Sequence, residues 1–332
     1  MKVCVFGAGA IGGYLAGLLA ASGLEISVVA RGPHLAAIRA SGLRVELPGR
    51  EVQVRITASD NPAELGPQDV VIVTVKAPAL PSVAATIAPL LRPDTPVAFV
   101  MNGIPWWYFH RHGGAWEGRR VACLDPDGTL WKQVGPDRVI GGIAWPASSV
   151  PEPGVVRVLS GETLGTTFGE PDGTLSPRVQ SLAEVFRGAG LPATVSANIR
   201  DLIWQKLIFN LSAGPTCVLA ASPVGATQEE QDLVAASRRM VREAEAVARA
   251  MGRAPEVDLD RILAVNQRLS HRPSILQDLE AGRPMEIDAL YSVFQELARL
   301  VAVPTPTLDL LFALIRVRAR EAGLYRGAAF RA

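Results

Sequence analysis

Residues 2–30 read Lys2-Val3-Cys4-Val5-Phe6, then Gly7-Ala8-Gly9-Ala10-Ile11-Gly12, then a run from Gly13 to Ser22, then Gly23 and Glu25-Ile26-Ser27-Val28-Val29-Ala30. The opening apolar run predicts a short buried strand from Lys2 to Phe6. A helix is expected from the glycine segment to about Ser22, stopped by Gly23, and Glu25 to Ala30 predicts a second strand. Strand, glycine loop, helix and strand within about 30 residues is the setting in which such a turn binds a dinucleotide. Gly7 permits the tight turn, Gly9 lets the backbone approach a pyrophosphate at the helix N-terminus, and Gly12 lets helix and strand pack closely. The same run has the outline of a secretion signal. However, Gly7, Gly9, Gly12, Gly13 and Gly17 interrupt it, and glycine is a poor helix former.

The end of the second strand selects the cofactor. NAD sites usually carry Asp or Glu there, to hold the ribose 2′-hydroxyl. This chain has Val28-Val29-Ala30-Arg31-Gly32, with no carboxylate, and Arg31 can pair with a 2′-phosphate. The reading is NADPH over NADH, against the alternative of an ordinary surface arginine.

Outward from this unit, 332 residues with 48% hydrophobic content can build two domains with real cores. The net charge of +1, from 33 basic and 32 acidic residues without a basic stripe, argues against a nucleic-acid partner. Cys4, Cys123 and Cys217 are scattered, which points to a reducing cytoplasm, and no further run is long and apolar enough for a membrane span. His110 and His112 would share one face of a strand, but no third metal ligand accompanies them, so no metal is expected.

A helix is expected over His34–Ser41 and strands over Leu43–Leu47 and Glu51–Thr57, around a Pro48-Gly49 turn. Asp69–Lys76 and Val97–Asn102 read as central parallel strands. Lys76 and Asn102 fall at their carboxyl ends, where open α/β sheets bind ligands. The aromatic cluster Pro105-Trp106-Trp107-Tyr108-Phe109 reads equally as a pocket wall, a core plug or a subunit contact. Val139–Ala144, Val155–Leu159 and Thr163–Phe168 are expected to extend the sheet, followed by a helix over Ser176–Ala189 and a strand over Ala193–Ser196. Helices alone follow, at 199–213, 227–251, 258–269, 273–281, 287–302 and 307–322, with a frayed tail from Gly327. The fold class is therefore an α/β Rossmann-type domain with a mostly parallel sheet, residues 1–197, before an all-α domain, residues 198–332.

The helix from Ile199 is apolar around nearly its whole circumference, which marks it as buried, and Gly214-Pro215 is expected to stop it. Lys206 and Asn210 lie within it at i and i+4, on one face. A lone lysine here reads as one that stretches its stem to the surface; Asn210 beside it favours a site. Ser274, near a helix start, suits a carboxylate. Glu286 and Asp288 read by themselves as ordinary first-turn acids.

Taken together these pieces resemble the ketopantoate reductases (2-dehydropantoate 2-reductases) along essentially the whole chain. They are Gly7 to Gly12 with Arg31; Val75-Lys76-Ala77; Asn102-Gly103; Trp204-Gln205-Lys206-Leu207 with Asn210 and Pro215; Ser274 with Leu276-Gln277-Asp278; and Gly282-Arg283-Pro284 with Glu286-Ile287-Asp288. The resemblance implies a cytoplasmic, NADPH-dependent reduction of 2-dehydropantoate to (R)-pantoate, in pantothenate and coenzyme A biosynthesis. It implies Lys206 as general acid and Glu286 as the carboxylate that orients it, both catalytic. Asn210, Ser274 and Asn102 would bind substrate; Gly7, Ala8, Gly9, Ala10, Ile11, Gly12, Arg31, Lys76 and Asn102 would bind cofactor. The expected partner is a small 2-oxo acid, with no nucleic acid or membrane and with a possible homodimer.

Two positions depart from the family pattern. Gly214 stands where a second asparagine is common, and His271 stands where another is frequent, three residues before Ser274. Both concern substrate, so reduction of another 2-oxo acid is the second reading. A catalytically silent NADPH-binding redox sensor is the third.

Overall fold

A computed structural model describes residues 1–159 and 164–327. The expected strand start at Thr163 and the tail beyond Gly327 lie outside the described residues. The chain divides into two compact units: residues 1–101, 106–121 and 125–199, and residues 102–105, 122–124 and 200–332. The change of architecture thus follows Ile199, and two short early segments group with the helices.

In the first unit the strands are β1 (Lys2–Phe6), β2 (Glu25–Val29), β3 (Leu43–Leu47), β4 (Arg50–Val54), β5 (Thr57–Ser59), β6 (Val70–Val73), β7 (Val97–Val100), β8 (Val139–Ala144), β9 (Ser148–Glu152), β10 (Val155–Val158), β11 (Thr166–Gly169) and β12 (Ala193–Val195). Its helices are α1 (Ala10–Ala21), α2 (Gly32–Ser41), α3 (Leu80–Thr86), α4 (Thr129–Gln133) and α5 (Pro177–Gly188). One sheet has the order β12-β11-β8-β7-β6-β1-β2-β5. Its β8–β11 pair runs antiparallel and its other neighbours run parallel. Apart from the exposed Lys2, the β1, β6 and β7 residues are apolar and buried, as in a sheet covered on both faces.

A second sheet, in the order β4-β3-β10-β9, was not expected. Val155–Val158 extends this sheet rather than the first, pairing parallel to β3 and antiparallel to β9. The reason lies in α1. Gly13 and Gly17, four residues apart, leave a groove on its outer side: a Cβ at Gly13 would fall 2.6 Å from Val156, and one at Gly17 would fall 2.4 Å from Val45. Valines of the small sheet fill that groove, so α1 is covered on both sides.

The aromatic cluster is core of the first unit. Trp106, Trp107, Tyr108 and Phe109 are buried, and Trp106 meets Phe99 and Trp131 edge to face at 5.5 and 6.1 Å. His110 lies in a turn and His112 in the irregular segment after it, not on a strand, and His110 Nε2 sits 3.3 Å from Asp137. Cys4, Cys123 and Cys217 are free thiols.

The second unit contains α6 (Ile199–Ala220), α7 (Val224–Thr227), α8 (Gln231–Ala250), α9 (Leu259–Arg268), α10 (Ser274–Glu280), α11 (Val293–Leu300) and α12 (Pro306–Glu321), with a π-helical turn at Asp288–Ser292. Contrary to expectation, Gly214-Pro215 does not stop α6, which continues to Ala220 with Pro215 inside it. A proline ring clashes with the backbone N–H and the Cβ of a helical residue before it, and Gly214 has no Cβ. Residues 211–218 are all buried, so packing holds the segment helical against the lost hydrogen bond. Trp204, Phe294, Phe312 and Tyr291 form a chain of ring contacts joining α6, α11, α12 and the π turn. Among the described residues no helix is long and apolar enough to cross a membrane.

Candidate active site

The strand order reverses at β1, which has β2 on one side and β6 on the other. Ligands bind outside the carboxyl ends of strands at such a reversal. Gly7 follows β1 there with φ +107°, a conformation suited to glycine. The turn is pinned at several points. Gly7 N–H and Ala8 N–H donate to Val29 O at 2.9 and 3.3 Å, and Thr74 Oγ1–H donates to Gly7 O at 2.7 Å. A Cβ at Gly12 would stand 2.0 Å from Gly7 O and 2.3 Å from Thr74 Oγ1, so only glycine fits.

Gly9 is different: a Cβ there would meet nothing within 4 Å, and the residue is exposed. It is the N-cap of α1, no side chain caps that end, and no acid lies in the first turn. The free N–H groups and the open approach fit a pyrophosphate. His34 of α2 supports the turn from outside. Its Nε2–H donates to Ala8 O at 2.7 Å, and its Nδ1 accepts from Gly154 N–H at 3.0 Å. These partners fix one neutral tautomer, and burial lowers the imidazole pKa from its ordinary value. Arg31 is exposed at the N-cap of α2, immediately beyond Ala30. Lys76 is exposed at the N-cap of the short turn Ala77–Ala79, two residues after Thr74.

In the second unit, Lys206 lies half-buried on α6 with Asn210 one turn on, also half-buried. Dehydration lowers the Lys206 pKa from 10.5 to about 8, and the charge of Glu286 partly offsets that loss. Glu286 itself is only 4% exposed, and a carboxylate is buried at that level only when the surroundings compensate it. Asn102 belongs to this unit. Ile104 N–H donates to Ala289 O at 3.1 Å, and Gly103, at φ +79°, lies so close that a Cβ would be 1.9 Å from the same oxygen. The Asn102-Gly103 turn is therefore seated on the π turn that follows Glu286.

The structure thus brings Lys206, Asn210, Glu286 and Asn102 into one unit. Ser274, in the same unit, opens α10 and is exposed. Sequence reasoning missed Thr74 and His34, which pin the glycine turn. Their signals were faint: a threonine just past a β-branched strand and a single histidine in a short helix.

A turn shaped for pyrophosphate and an ammonium held near neutrality are parts of a dinucleotide-dependent oxidoreductase, the class to which fold and side chains assign the chain. Comparison with known proteins narrows this. The family described as "Ketopantoate reductase PanE/ApbA" matches residues 3–173, and its C-terminal counterpart matches residues 198–319. The chain belongs to the ketopantoate reductase family. A 2-dehydropantoate 2-reductase of Mesorhizobium japonicum is 46% identical over 327 residues, 98% of this chain and 100% of that protein. A solved structure from Ralstonia solanacearum MolK2 superposes with a TM-score of 0.91 at 40% identity, covering 97% of this chain and 99% of that one. A ketopantoate reductase of the same family from Ralstonia eutropha JMP134 gives 0.83 at 28% identity, covering 97% and 100%.

Proposed function

We propose that the chain reduces 2-dehydropantoate to (R)-pantoate with NADPH, on the route to pantothenate and coenzyme A, with Lys206 as the general acid. The observation that carries the chemistry is a half-buried Lys206 whose pKa of about 8 leaves it mostly protonated at neutral pH yet able to release its proton.

NADPH, when bound, would supply a hydride to the ketone carbon, which would leave negative charge on the ketone oxygen. The Lys206 ammonium stabilises that oxygen and gives it one Nζ proton, leaving a neutral amine. Glu286 keeps Lys206 charged against dehydration. Asn210, Asn102 and Ser274 hold the acid's polar groups. Gly7 to Gly12 carry the pyrophosphate, Arg31 takes the 2′-phosphate, and Lys76 assists at the cofactor.

The test follows NADPH absorbance with 2-dehydropantoate. Lys206→Ala is expected to lower kcat by roughly 10²–10⁴-fold, with NADPH affinity retained; near-normal kcat removes Lys206 from the acid role. A second reading, reduction of another 2-oxo acid, is favoured by Gly214, which leaves space one turn beyond Asn210. Turnover confined to another member of a 2-oxo acid panel selects it.

A further inference from the structure

Glu286 lies outside regular structure. Residues 283–286 lead from α10 towards the π turn without helix or strand, so no ladder of their own fixes the carboxylate. The backbone groups of such a stretch are held by anchors from elsewhere. On the near side, Arg283 N–H donates to Asp278 O at 2.8 Å and Arg283 Nε–H donates to Asp278 Oδ1 at 2.9 Å, and Asp278 is buried.

Two more anchors come from the residues after α12. Gly323, in the left-handed region at φ +71°, closes that helix: its N–H donates to Arg320 O at 2.9 Å, and Leu324 N–H donates to Ala319 O at 2.8 Å. This closing turn sets the direction of the chain beyond it. Leu324 O then accepts from Met285 N–H at 3.3 Å, and Tyr325 OH donates to Asp288 Oδ1 at 2.6 Å. Met285 and Asp288 stand on either side of Glu286, so two consecutive residues grip the stretch that carries the carboxylate. An acid in a first turn is served by the helix N–H groups and has no need of a phenol. Here a tyrosine 37 residues along the chain reaches it, in a half-buried bond to a carboxylate, the shorter and stronger kind.

We propose that Tyr325 is a positioning residue for the reduction: together with the Leu324 carbonyl it holds the 285–288 stretch, and so keeps the Glu286 carboxylate where it acts on Lys206. Its role in turnover rests on the proposed function; its hold on Glu286 does not. The ionisable groups beside the Tyr325–Asp288 bond are Cys123, whose Sγ lies 4.0 Å from Asp288 O, and Arg316, on which Tyr325 acts electrostatically. Tyr325→Phe leaves both in place and keeps the ring.

The experiment titrates Lys206 directly, without substrate. The lysines of the chain are Lys2, Lys76, Lys132 and Lys206, so the Lys206 signal in an NMR titration of isotope-labelled protein is the one absent from Lys206→Ala. The Glu286 charge opposes the effect of burial on the ammonium. With its anchor removed, Glu286 spends less time near that charge. Lys206 in Tyr325→Phe is therefore expected to titrate at lower pH, in the direction of Glu286→Gln but by less. The kcat for 2-dehydropantoate is expected to fall by roughly two- to tenfold, the net worth of one hydrogen bond, with the KM for NADPH unchanged. Asp288→Ala removes the acceptor, so the double variant is expected to lose no more than Asp288→Ala alone. A Lys206 titration that stays in place in Tyr325→Phe overturns the positioning role, whatever the variant's stability, and so do losses that add in the double variant. A lowered titration in Tyr325→Phe, with no turnover of 2-dehydropantoate by the unaltered protein, upholds the hold on Glu286 and overturns the proposed reduction instead.

Discussion

Lys206 ties the pH dependence of reduction to two opposing influences. Burial removes water from the ammonium and lowers its pKa to about 8; the Glu286 charge acts in the other direction. Proton donation requires the charged form, which dominates below that value. The kcat/KM for reduction is therefore expected to hold through neutrality and to fall as pH rises through about 8. Glu286→Gln removes the influence that raises the pKa, so the alkaline fall is expected at lower pH. A pH–rate profile in which the fall stays in place, or moves upward, separates Glu286 from Lys206. Arg31 makes a different expectation at the same scale. An exposed guanidinium at the N-cap of α2, with no carboxylate at the end of β2, favours a 2′-phosphate. Arg31→Ala is expected to raise the KM for NADPH by at least about tenfold, the order of a charge-assisted bond, and to change that for NADH little. Equal losses for both cofactors would rule out the 2′-phosphate contact. Arg31, Lys206 and Asn210 stand out in the sequence as candidates because each breaks a local rule: a missing acid, a charge in an apolar helix, an amide on the same face. Thr74 and His34 obey theirs. A threonine past a strand and a histidine in a short helix betray nothing until the hydroxyl and the ring nitrogens acquire neighbours.

Among elements, the strand–loop–helix–strand at the N-terminus was legible because its glycines and its apolar periods agree. The second sheet was not. Its strands β3, β4, β9 and β10 are short, and what joins them is the groove between Gly13 and Gly17 on α1, a surface the sequence shows only as two more glycines. The end of α6 was misread because Gly-Pro usually ends a helix; burial around residues 211–218 overrides that preference. The Asn102-Gly103 turn gives this scale its prediction. Gly103 combines φ +79° with a Cβ position 1.9 Å from Ala289 O, whereas Gly49, at φ +80°, has open space. Gly49→Ala should cost only the left-handed backbone penalty, about 1 kcal/mol. Gly103→Ala adds a backbone clash and should cost at least about 2 kcal/mol more. Urea denaturation compares the two. Equal costs would mean that Ala289 yields to the new methyl, and that the turn is not held as tightly as its geometry indicates.

For the whole molecule, the order of the chain and the division into units do not coincide. A single boundary near residue 197 is the natural reading of a change from strands to helices, but residues 102–105 and 122–124 group with the helical unit. Their anchors lie far along the chain, at Ala289 and Glu296, and side chains that meet across more than 160 residues leave no periodic trace. Glu296 on α11 accepts from Ala122 N–H at 3.1 Å and from Cys123 N–H at 3.2 Å, one carboxylate oxygen for each. Hydrogen bonds to a charged acceptor contribute roughly 1.5–3 kcal/mol. If the carboxylate is what attaches this segment, Glu296→Ala should speed amide exchange at Ala122 and Cys123 by roughly tenfold to a hundredfold. Ile104, whose N–H is held by the Ala289 backbone at 3.1 Å, should exchange as before and serves as the internal reference. Acceleration at all three amides would mean that the variant loosens the helical unit as a whole. Acceleration at none would mean that the 122–124 segment is retained by its neighbours in the chain, and that its place in the helical unit does not depend on Glu296.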